Sequence, residues 1–200
     1  MYVHIMVMSK PSNREKILTE RLKVVHAHGF ANASVRDIVH AAGVPQGSFT
    51  NHFASKEAFG LEVIGLYLER SRATMTATLL NDSLAPLDRL AGYIDANQAR
   101  MAQTGMRNGC LFGNFTAEAT DHSEAMREKL LEVFAEIRRN IATCLRAAAA
   151  AGDIPETADP DDLAAFILTA LQGANLLSKA ERSAAPIERL RRLLFNKILK

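Results

Sequence analysis

Apolar residues recur at steps of three and four positions along most of the chain, and the alternation typical of β-strands is nearly absent. This spacing predicts an all-α fold of about nine helices, of which three are short and lie near the N-terminus. The expected helices cover residues 13–28, 34–42, 46–52, 55–80, 86–103, 110–120, 123–151, 159–180 and 186–199.

Capping residues set several of these limits. Ser34 and Asp37 have the spacing of a capping box, in which each side chain accepts a hydrogen bond from the other residue's backbone amide. Gly29 is typical of the position just beyond a helix end, where the backbone turns left-handed. Asp159 followed by Pro160 predicts a helix start, because the carboxylate caps free amides and proline suits the first turn.

The segment 110–120 has two interpretations. Its composition, which begins Cys-Leu-Phe-Gly-Asn-Phe, would allow a β-strand. We expect an irregular helix interrupted by Gly113, because every neighbouring segment has helical spacing.

Charge is unevenly distributed, although the net charge of the 200 residues is only +2. Residues 1–60 carry +3 and the remaining residues carry −1. A basic end is where a polyanion such as a nucleic acid would bind. The N-terminal part is therefore the place to search for a nucleic-acid-binding motif.

The segment 34–57, SVRDIVHAAGVPQGSFTNHFASKE, has the layout of a helix-turn-helix. Ala42 and Gly43 supply the small residue and the turn that allow two short helices to pack across each other. Phe49 and Phe53 are four positions apart, so both rings can anchor one face of the second helix. The residues between the two rings are then expected to point outward.

These outward residues suit contact with DNA. Gln46 and Asn51 can pair with adenine edges, and Thr50 can offer a methyl group to thymine. Gly47 would allow the backbone to approach closely, and basic members of the set would lie against phosphates. A short polar surface helix without a partner is the alternative. The predicted DNA-binding residues are Ser34, Arg36, Gln46, Gly47, Ser48, Thr50, Asn51, His52 and Lys56.

Residues 14–60 resemble the TetR family of bacterial repressors, with a first helix, the pair Gly29-Phe30 and the helix-turn-helix segment at matching spacing. The resemblance implies a homodimer, a helix-turn-helix on each subunit and a C-terminal domain that binds a small-molecule effector. Two positions depart from the family pattern. The family usually has a tyrosine where Thr50 stands and often has a lysine where Gln46 stands.

Residues 109–127 and 152–183 are similar to a subgroup of these repressors, which includes the acrylate-responsive regulator and the repressor of N-ethylmaleimide reductase. The subgroup often has a tryptophan where this chain has Leu171. In the reductase repressor a cysteine in the matching Gly-Cys pair senses oxidants or electrophiles, which implies a sensing role for Cys110. A buried, inert thiol is the alternative for this residue.

The helix pattern and the resemblance together predict three regions. We expect a flexible N-terminal extension over residues 1–12, a three-helix DNA-binding domain over 13–54, and a six-helix ligand-binding and dimerisation domain over 55–200. The helix expected at 55–80 would join the two domains without a flexible break.

Aromatic and polar residues within the apolar C-terminal segments are candidates for an effector cavity. Ordinary core packing is the alternative for the aromatic residues, and bridging of a dimer is the alternative for the amides, which need hydrogen-bond partners when buried. The predicted ligand-binding residues are Tyr93, Cys110, Phe112, Asn114, Phe115 and Asn175.

Small residues on the helix expected at 159–180 would let another helix approach closely. Together with the helix at 186–199, they predict a four-helix seam between two copies of the chain. Packing within one subunit is the alternative. The small residues are Ala164, Ala165, Ala170, Gly173 and Ala174.

Signatures of other function classes are missing from the sequence. We predict no catalytic residue, no metal site and no cofactor, and we interpret the acidic residues around His122 as a solvated turn. A helical-bundle enzyme or a small-molecule carrier is the alternative function. The predicted partners are a double-stranded DNA operator, a small-molecule effector and a second copy of the chain.

Targeting signals are equally sparse. The apolar residues 1–8 lack the basic leader and cleavage site of a signal peptide. We expect no apolar run to approach the roughly 18–20 residues of a membrane span, so no membrane contact is predicted. The two cysteines, Cys110 and Cys144, have no CxxC spacing, which favours a reducing cytoplasm.

Overall fold

The computed structural model describes residues 22, 24–27, 29–45, 47–155 and 157–200, and for Ser48 it describes the backbone alone. Every regular element in these ranges is helical, which confirms the all-α prediction. The extension predicted at residues 1–12 and most of the helix predicted at 13–28 lie outside the described residues.

The leading helix segment comprises Leu22 and residues 24–27. The helices that follow are α1 (Val35–Ala41), α2 (Gly47–His52), α3 (Lys56–Ala77), α4 (Pro86–Ala102), α5 (Leu111–Ala119), α6 (Glu124–Ala150), α7 (Pro160–Glu181) and α8 (Ala185–Leu193), and a π-helical turn over Leu194–Ile198 ends the described helical structure.

The predicted caps are present. Ser34 and Asp37 form the complete capping box of α1, and Asp159 accepts hydrogen bonds from the amides of the first turn of α7. Ser55 and Ser123 cap α3 and α6 in the same way. Local sequence therefore fixes where the helices begin, since each cap satisfies amides that the helix itself leaves free.

The expectation of an irregular α5 is wrong. Gly113 lies inside a continuous helix. Five other glycines of the described chain have a positive φ, but Gly113 does not. Leu111, Phe112 and Phe115 are all buried, so they hold the helix by packing against its neighbours. That burial outweighs the cost of about 1 kcal/mol that a glycine imposes in a helix interior.

Helix α6 forms the axis of the C-terminal bundle. It contacts α3, α4, α5 and α7, and α7 in turn contacts α8. The core along α6 is made by Val133, Ile137, Ile141 and Leu145, each at most 2% exposed. The bundle thereby surrounds α6 on several sides and holds α5 between α6 and the N-terminal helices.

Helix α7 is the one described helix that is long and apolar enough to cross a membrane. The expectation that no stretch approaches this length is therefore wrong, because residues 163–178 carry no charged side chain. Part of α7 is buried against α6 and α8, as the core helix of a water-exposed bundle would be.

Candidate functional site

Two phenylalanines anchor the short helix α2. Phe49 and Phe53 are each 3% exposed, and their ring centroids lie 5.2 Å apart. Phe59, from the second turn of α3, contacts both rings at 5.6 and 5.2 Å. The prediction that these two rings face inward is confirmed, and the cluster joins α2 to the start of α3.

The opposite face of α2 is open to solvent. Thr50, Asn51 and His52 are exposed, and Thr50 Oγ1 donates a hydrogen bond to the Gly47 carbonyl at 3.1 Å. Gly47 has no atom within 4 Å of the position a Cβ would take. Gln46 and the side chain of Ser48 lie outside the described structure.

The remaining predicted DNA-binding residues lie at the edges of this face. Arg36 is exposed on α1, whereas Ser34 is engaged with Asp37 in the capping box. Lys56 Nζ donates to the Ala31 carbonyl at 3.0 Å, and it also lies 4.9 Å from the centroid of the Phe30 ring. Lys56 therefore ties the start of α3 to the segment before α1.

A cavity of about 500 Å³, here called the large cavity, lies between α5 and α7. Its wall includes Cys110, Asn114 and Asn175 of the predicted ligand-binding set. It also includes Gln172 and Lys179, whose spacing with Asn175 along α7 places all three on one helix face. Cys110 is 7% exposed.

Three other predicted ligand residues lie elsewhere. Tyr93 and Phe112 line a narrow space beside the large cavity, together with Cys110 and Asn175. Phe115 stacks on Phe30 with ring centroids 4.9 Å apart, at the contact between α5 and the N-terminal part.

Two family models together match most of the chain. Residues 17–63 match the model of bacterial regulatory proteins of the tetR family, and residues 86–194 match the model of a tetracyclin repressor-like C-terminal domain. The repressor DhaR of Mycobacterium sp. strain GP1 is 33% identical over 192 residues, which are 96% of this chain and 95% of DhaR. The chain belongs to the TetR family.

Two further matches agree with the predicted subgroup. The transcriptional regulator AcuR of Cereibacter sphaeroides is 32% identical over 173 residues, covering 86% of this chain and 79% of AcuR. The crystal structure of reduced E. coli NemR has a TM-score of 0.81 and 26% identity, covering 92% of this chain and 96% of that one. TetR-family proteins are transcriptional regulators that bind operator DNA and small-molecule effectors and act as dimers, and the enzyme alternative has no support.

In this TetR-family chain, hydrogen bonds connect the large cavity to the N-terminal helices. His26 Nε2 donates to the Gly109 carbonyl at 2.9 Å, and Gly109 lies on the cavity wall. Glu118, also on the wall, accepts a hydrogen bond from the Ala31 amide at 3.0 Å. Two polar contacts and the contact between the Phe30 and Phe115 rings therefore join α5 and the loop before it to the N-terminal part.

Sequence reasoning missed Lys179 and Glu118 as cavity residues and His26 as a contact to the cavity. Lys179 could have been found from its spacing with Gln172 and Asn175, which places the three residues on one helix face. Nothing in the sequence pairs Glu118 with residues before α1, because the two segments are 87 positions apart.

Burial alters several titrations near the site. Burial lowers the pKa of His26, and although the hydrogen bond to Gly109 opposes this, Arg100 and Lys179 lower it further. Burial also raises the pKa of Tyr93 to about 12. Because its pKa is lowered, the His26 imidazole is neutral near pH 7. Its Nε2 carries the proton that is donated to the Gly109 carbonyl.

The second thiol, that of Cys144, is a packing residue. Cys144 is 1% exposed, and its Sγ donates to the Pro86 carbonyl at 3.1 Å. Burial raises the pKa of Cys144 to about 11. Within the described residues, no group of three or more His, Cys, Asp and Glu side chains is placed to hold a metal ion.

Proposed function

We propose that the chain is a dimeric repressor that holds an operator through α2 and leaves it when a small molecule occupies the large cavity. The observation that carries this proposal is the arrangement of α2. Its two aromatic residues are buried while Thr50, Asn51 and His52 are exposed on the other face. A short helix packed on one face and polar on the other has the form of a recognition helix.

The DNA contacts follow from this docking. Asn51, Thr50 and Gln46 would meet base edges in the major groove, while Arg36 and His52 would lie against phosphates. Lys56 is a weaker candidate for a phosphate contact, because its ammonium group already binds the Ala31 carbonyl. The domain limits of this proposal are 13–54 for DNA binding and 55–200 for the effector and the dimer.

The dimer would form through α7 and α8. The described residues include seven large apolar side chains that are exposed, and four of them lie on these two helices: Phe166, Leu176, Leu177 and Leu193. Exposed apolar residues concentrated on adjacent helices are typical of an interface. Because the same surface would meet itself across a two-fold axis, the contact would be a four-helix seam.

The effector would enter beside Cys110. Because Cys110 lies on the wall of the 500 Å³ cavity, a small electrophile or oxidant in the cavity would reach its thiol. Reversible binding by the amides Asn114 and Asn175 is the second way in which an effector would be held. We place the protein in the bacterial cytoplasm, where both DNA and reduced thiols occur.

A gel-shift titration on DNA flanking the protein's own gene tests the first step. The wild-type chain should retain a fragment that contains two similar half-sites about one helical turn apart. Asn51→Ala should change which bases are preferred, while Lys129→Ala on the far helix α6 is the matched control. Failure to retain any flanking fragment, at low as well as moderate salt, would refute the operator assignment.

A second titration tests the effector. N-ethylmaleimide should release the DNA from the wild-type chain and should have little effect on Cys110→Ser. Equal release from both proteins would remove the thiol from the mechanism, and Cys144→Ser should behave as the wild type.

A further inference from the structure

A row of three polar side chains, here called the amide relay, runs from α4 to the wall of the large cavity. Arg100 Nη2 donates to Asn97 Oδ1 at 2.7 Å, and Asn97 Nδ2 donates to Asn175 Oδ1, also at 2.7 Å. Asn97 is 4% exposed and Asn175 is 1% exposed. Because both amides are buried, these hydrogen bonds set their orientation.

The guanidinium at one end fixes the direction of every hydrogen bond in the amide relay. Arginine can only donate, so Asn97 must turn its carbonyl oxygen toward Arg100 and its NH2 group toward Asn175. Asn175 must then turn its Oδ1 toward Asn97. Its Nδ2, a donor, is left as the end of the amide relay.

This last donor, Asn175 Nδ2, opens onto cavity space. Among the described residues it has no hydrogen-bond acceptor. It is nevertheless not one of the enclosed atoms without a partner, which in the described ranges are Tyr67 Oη, Arg100 Nε and Ser178 Oγ. Asn175 borders the large cavity and the narrow space beside it, whose volume is about 10 Å³. The narrow space holds at most one water molecule, so an effector would meet this donor from the large cavity.

Lys179, one turn further along α7, adds a second donor to the same wall. Asn114 Nδ2 donates to the Asn108 carbonyl at 2.9 Å, so Asn114 Oδ1 is the atom that accepts from Lys179 Nζ at 3.3 Å. An ammonium group has three N–H bonds, and this contact uses one of them. Helix α7 therefore offers donors to the large cavity at two neighbouring positions, which an acceptor on the effector would match.

We propose that Asn97 and Arg100 are positioning residues that decide which effectors the large cavity accepts. They hold Asn175 so that it offers an N–H donor to an uncharged acceptor oxygen, such as that of a carbonyl group. Neither Asn97 nor Arg100 lies on the wall of the large cavity, so both act through Asn175. The inference rests on the proposed function in taking the large cavity as the effector site.

Asn97→Asp tests the amide relay because it reverses the direction of its hydrogen bonds while keeping the shape of the side chain. The new carboxylate accepts from Arg100, which forms no salt bridge within the described part of the chain. The carboxylate also accepts from Asn175 Nδ2. Asn175 then turns its Oδ1 toward the large cavity, where it repels an acceptor oxygen.

Alkylation of Cys110 in the full chain by two reagents measures the effect. N-ethylmaleimide carries carbonyl oxygens, whereas allyl bromide carries no hydrogen-bond acceptor of comparable strength. Both reagents attack the same thiol, so the ratio of their rate constants, followed by mass spectrometry of the Cys110 peptide, cancels any change in thiol reactivity. We expect Asn97→Asp to lower the ratio of N-ethylmaleimide to allyl bromide about tenfold, because a hydrogen bond is replaced by a repulsive contact.

Two further variants complete the experiment. Asn175→Leu removes the donor and should lower the ratio by a similar factor, so it stays informative if Asn97→Asp does not fold. Asn196→Asp makes the same chemical change as Asn97→Asp at an exposed position of the π-helical turn and should leave the ratio unchanged.

The possible outcomes separate the amide relay from the proposed function. An unchanged ratio in a folded Asn97→Asp variant would overturn the positioning role, and an unchanged ratio in Asn175→Leu would overturn the donor itself. If N-ethylmaleimide still releases DNA in such a case, only the amide relay is refuted. A lowered ratio in both variants of a chain that retains no DNA would refute the proposed function and leave the amide relay standing.

Discussion

His26 is a single side chain that contacts both parts of the molecule. Its imidazole lies in the leading helix segment, donates to the Gly109 carbonyl beside the large cavity and packs edge-on against Tyr67, with ring centroids 5.7 Å apart. Neutrality suits this position, since burial, and to a smaller extent the charges of Arg100 and Lys179, lower the pKa of His26. The residue therefore contributes most to folding when it is unprotonated.

The sign of the pH dependence follows from the lowered pKa. The unfolded chain takes up a proton at His26 near the ordinary histidine pKa of 6.5, whereas the folded chain does so only at lower pH. The stabilisation is therefore present above pH 6.5 and is lost as the pH falls through the folded-state pKa. We expect the Tm of the wild type to fall more than that of His26→Gln between pH 7.5 and pH 5.5.

Glutamine is the matched replacement because its amide can still donate to Gly109 but does not titrate. Other histidines titrate equally in both proteins, so their effect cancels in the difference of Tm. A difference that stays constant over this pH range would contradict the lowered pKa.

At the residue scale, the sequence predicted the inward and outward faces of α2 because that pattern is local. Four positions along one helix decide where Phe49 and Phe53 point. Lys56 was expected at a phosphate, but it donates to Ala31, 25 positions earlier in the chain. Phe115 was expected at a ligand, but it stacks on Phe30. The contacts of Lys56 and Phe115 both depend on how distant segments pack, and helical spacing carries no information about that packing.

At the scale of elements, α3 is the helix that touches both halves of the molecule. Its first turns carry Phe59 into the ring cluster with α2, and its Gly60 faces Phe30 and Met126. A Cβ at Gly60 would lie 2.8 Å from Phe30 Cε2 and closer still to Met126 Cε. Gly60 therefore lets α3, the segment before α1 and α6 approach one another.

Gly60→Ala should accordingly destabilise the protein by about 1–3 kcal/mol, because the added methyl group overpacks this contact. Gly65→Ala is the matched control on the same helix, since no atom lies within 4 Å of its Cβ position. That substitution should stabilise by about 0.5–1 kcal/mol through helix propensity. Urea denaturation of both variants measures the difference, and destabilisation of similar size in both would show that the contact is not tight.

Helix α5 connects the large cavity to the N-terminal helices through Glu118, which holds the Ala31 amide at 3.0 Å. We expect Glu118→Ala to reduce by about fivefold or more the factor by which N-ethylmaleimide lowers DNA affinity, because coupling between two sites needs a contact that differs between states. Glu118→Gln keeps an acceptor oxygen and should keep most of the coupling.

The measurement is DNA affinity with and without the reagent, accompanied by the extent of Cys110 alkylation. Alkylation should remain complete in both variants. Unchanged coupling in Glu118→Ala would place the connection elsewhere, for example at the contact of His26 with Gly109.

Most helix limits were predictable because capping residues and apolar spacing act within a few positions. The exception was α5, where Gly113 suggested an interruption that tertiary packing overrides. The cavities were not predictable in outline, since their walls combine residues from α3, α4, α5 and α7. The sequence marked Cys110, Asn114 and Asn175 only as polar or reactive residues in apolar surroundings.

At the scale of the whole molecule, the exposed apolar residues of α7 and α8 form the surface through which we propose that two subunits meet. Phe166 is 46% exposed and Leu177 is 50% exposed. Phe166→Glu combined with Leu177→Glu should convert the proposed dimer to a monomer, because two carboxylates per subunit would be buried in the seam without partners. Light scattering during size-exclusion chromatography measures the mass, and DNA affinity should fall in parallel.

Leu131→Glu is the control for this prediction. Leu131 is 55% exposed on α6, outside the proposed seam, so a carboxylate there should leave the mass unchanged. A dimeric double variant would show that the subunits meet through another surface.

The ring cluster of Phe49, Phe53 and Phe59 packs α2 against the base of α3, so a rotation of α3 would carry α2 with it. With 22 residues, α3 is about 33 Å long. Pivoting such a rod by about 5° at its far end shifts the base by roughly 3 Å, close to the spacing between neighbouring base pairs. In the proposed symmetric dimer the two shifts would add, so a slight rotation inside the bundle would move both α2 helices out of register with the major groove.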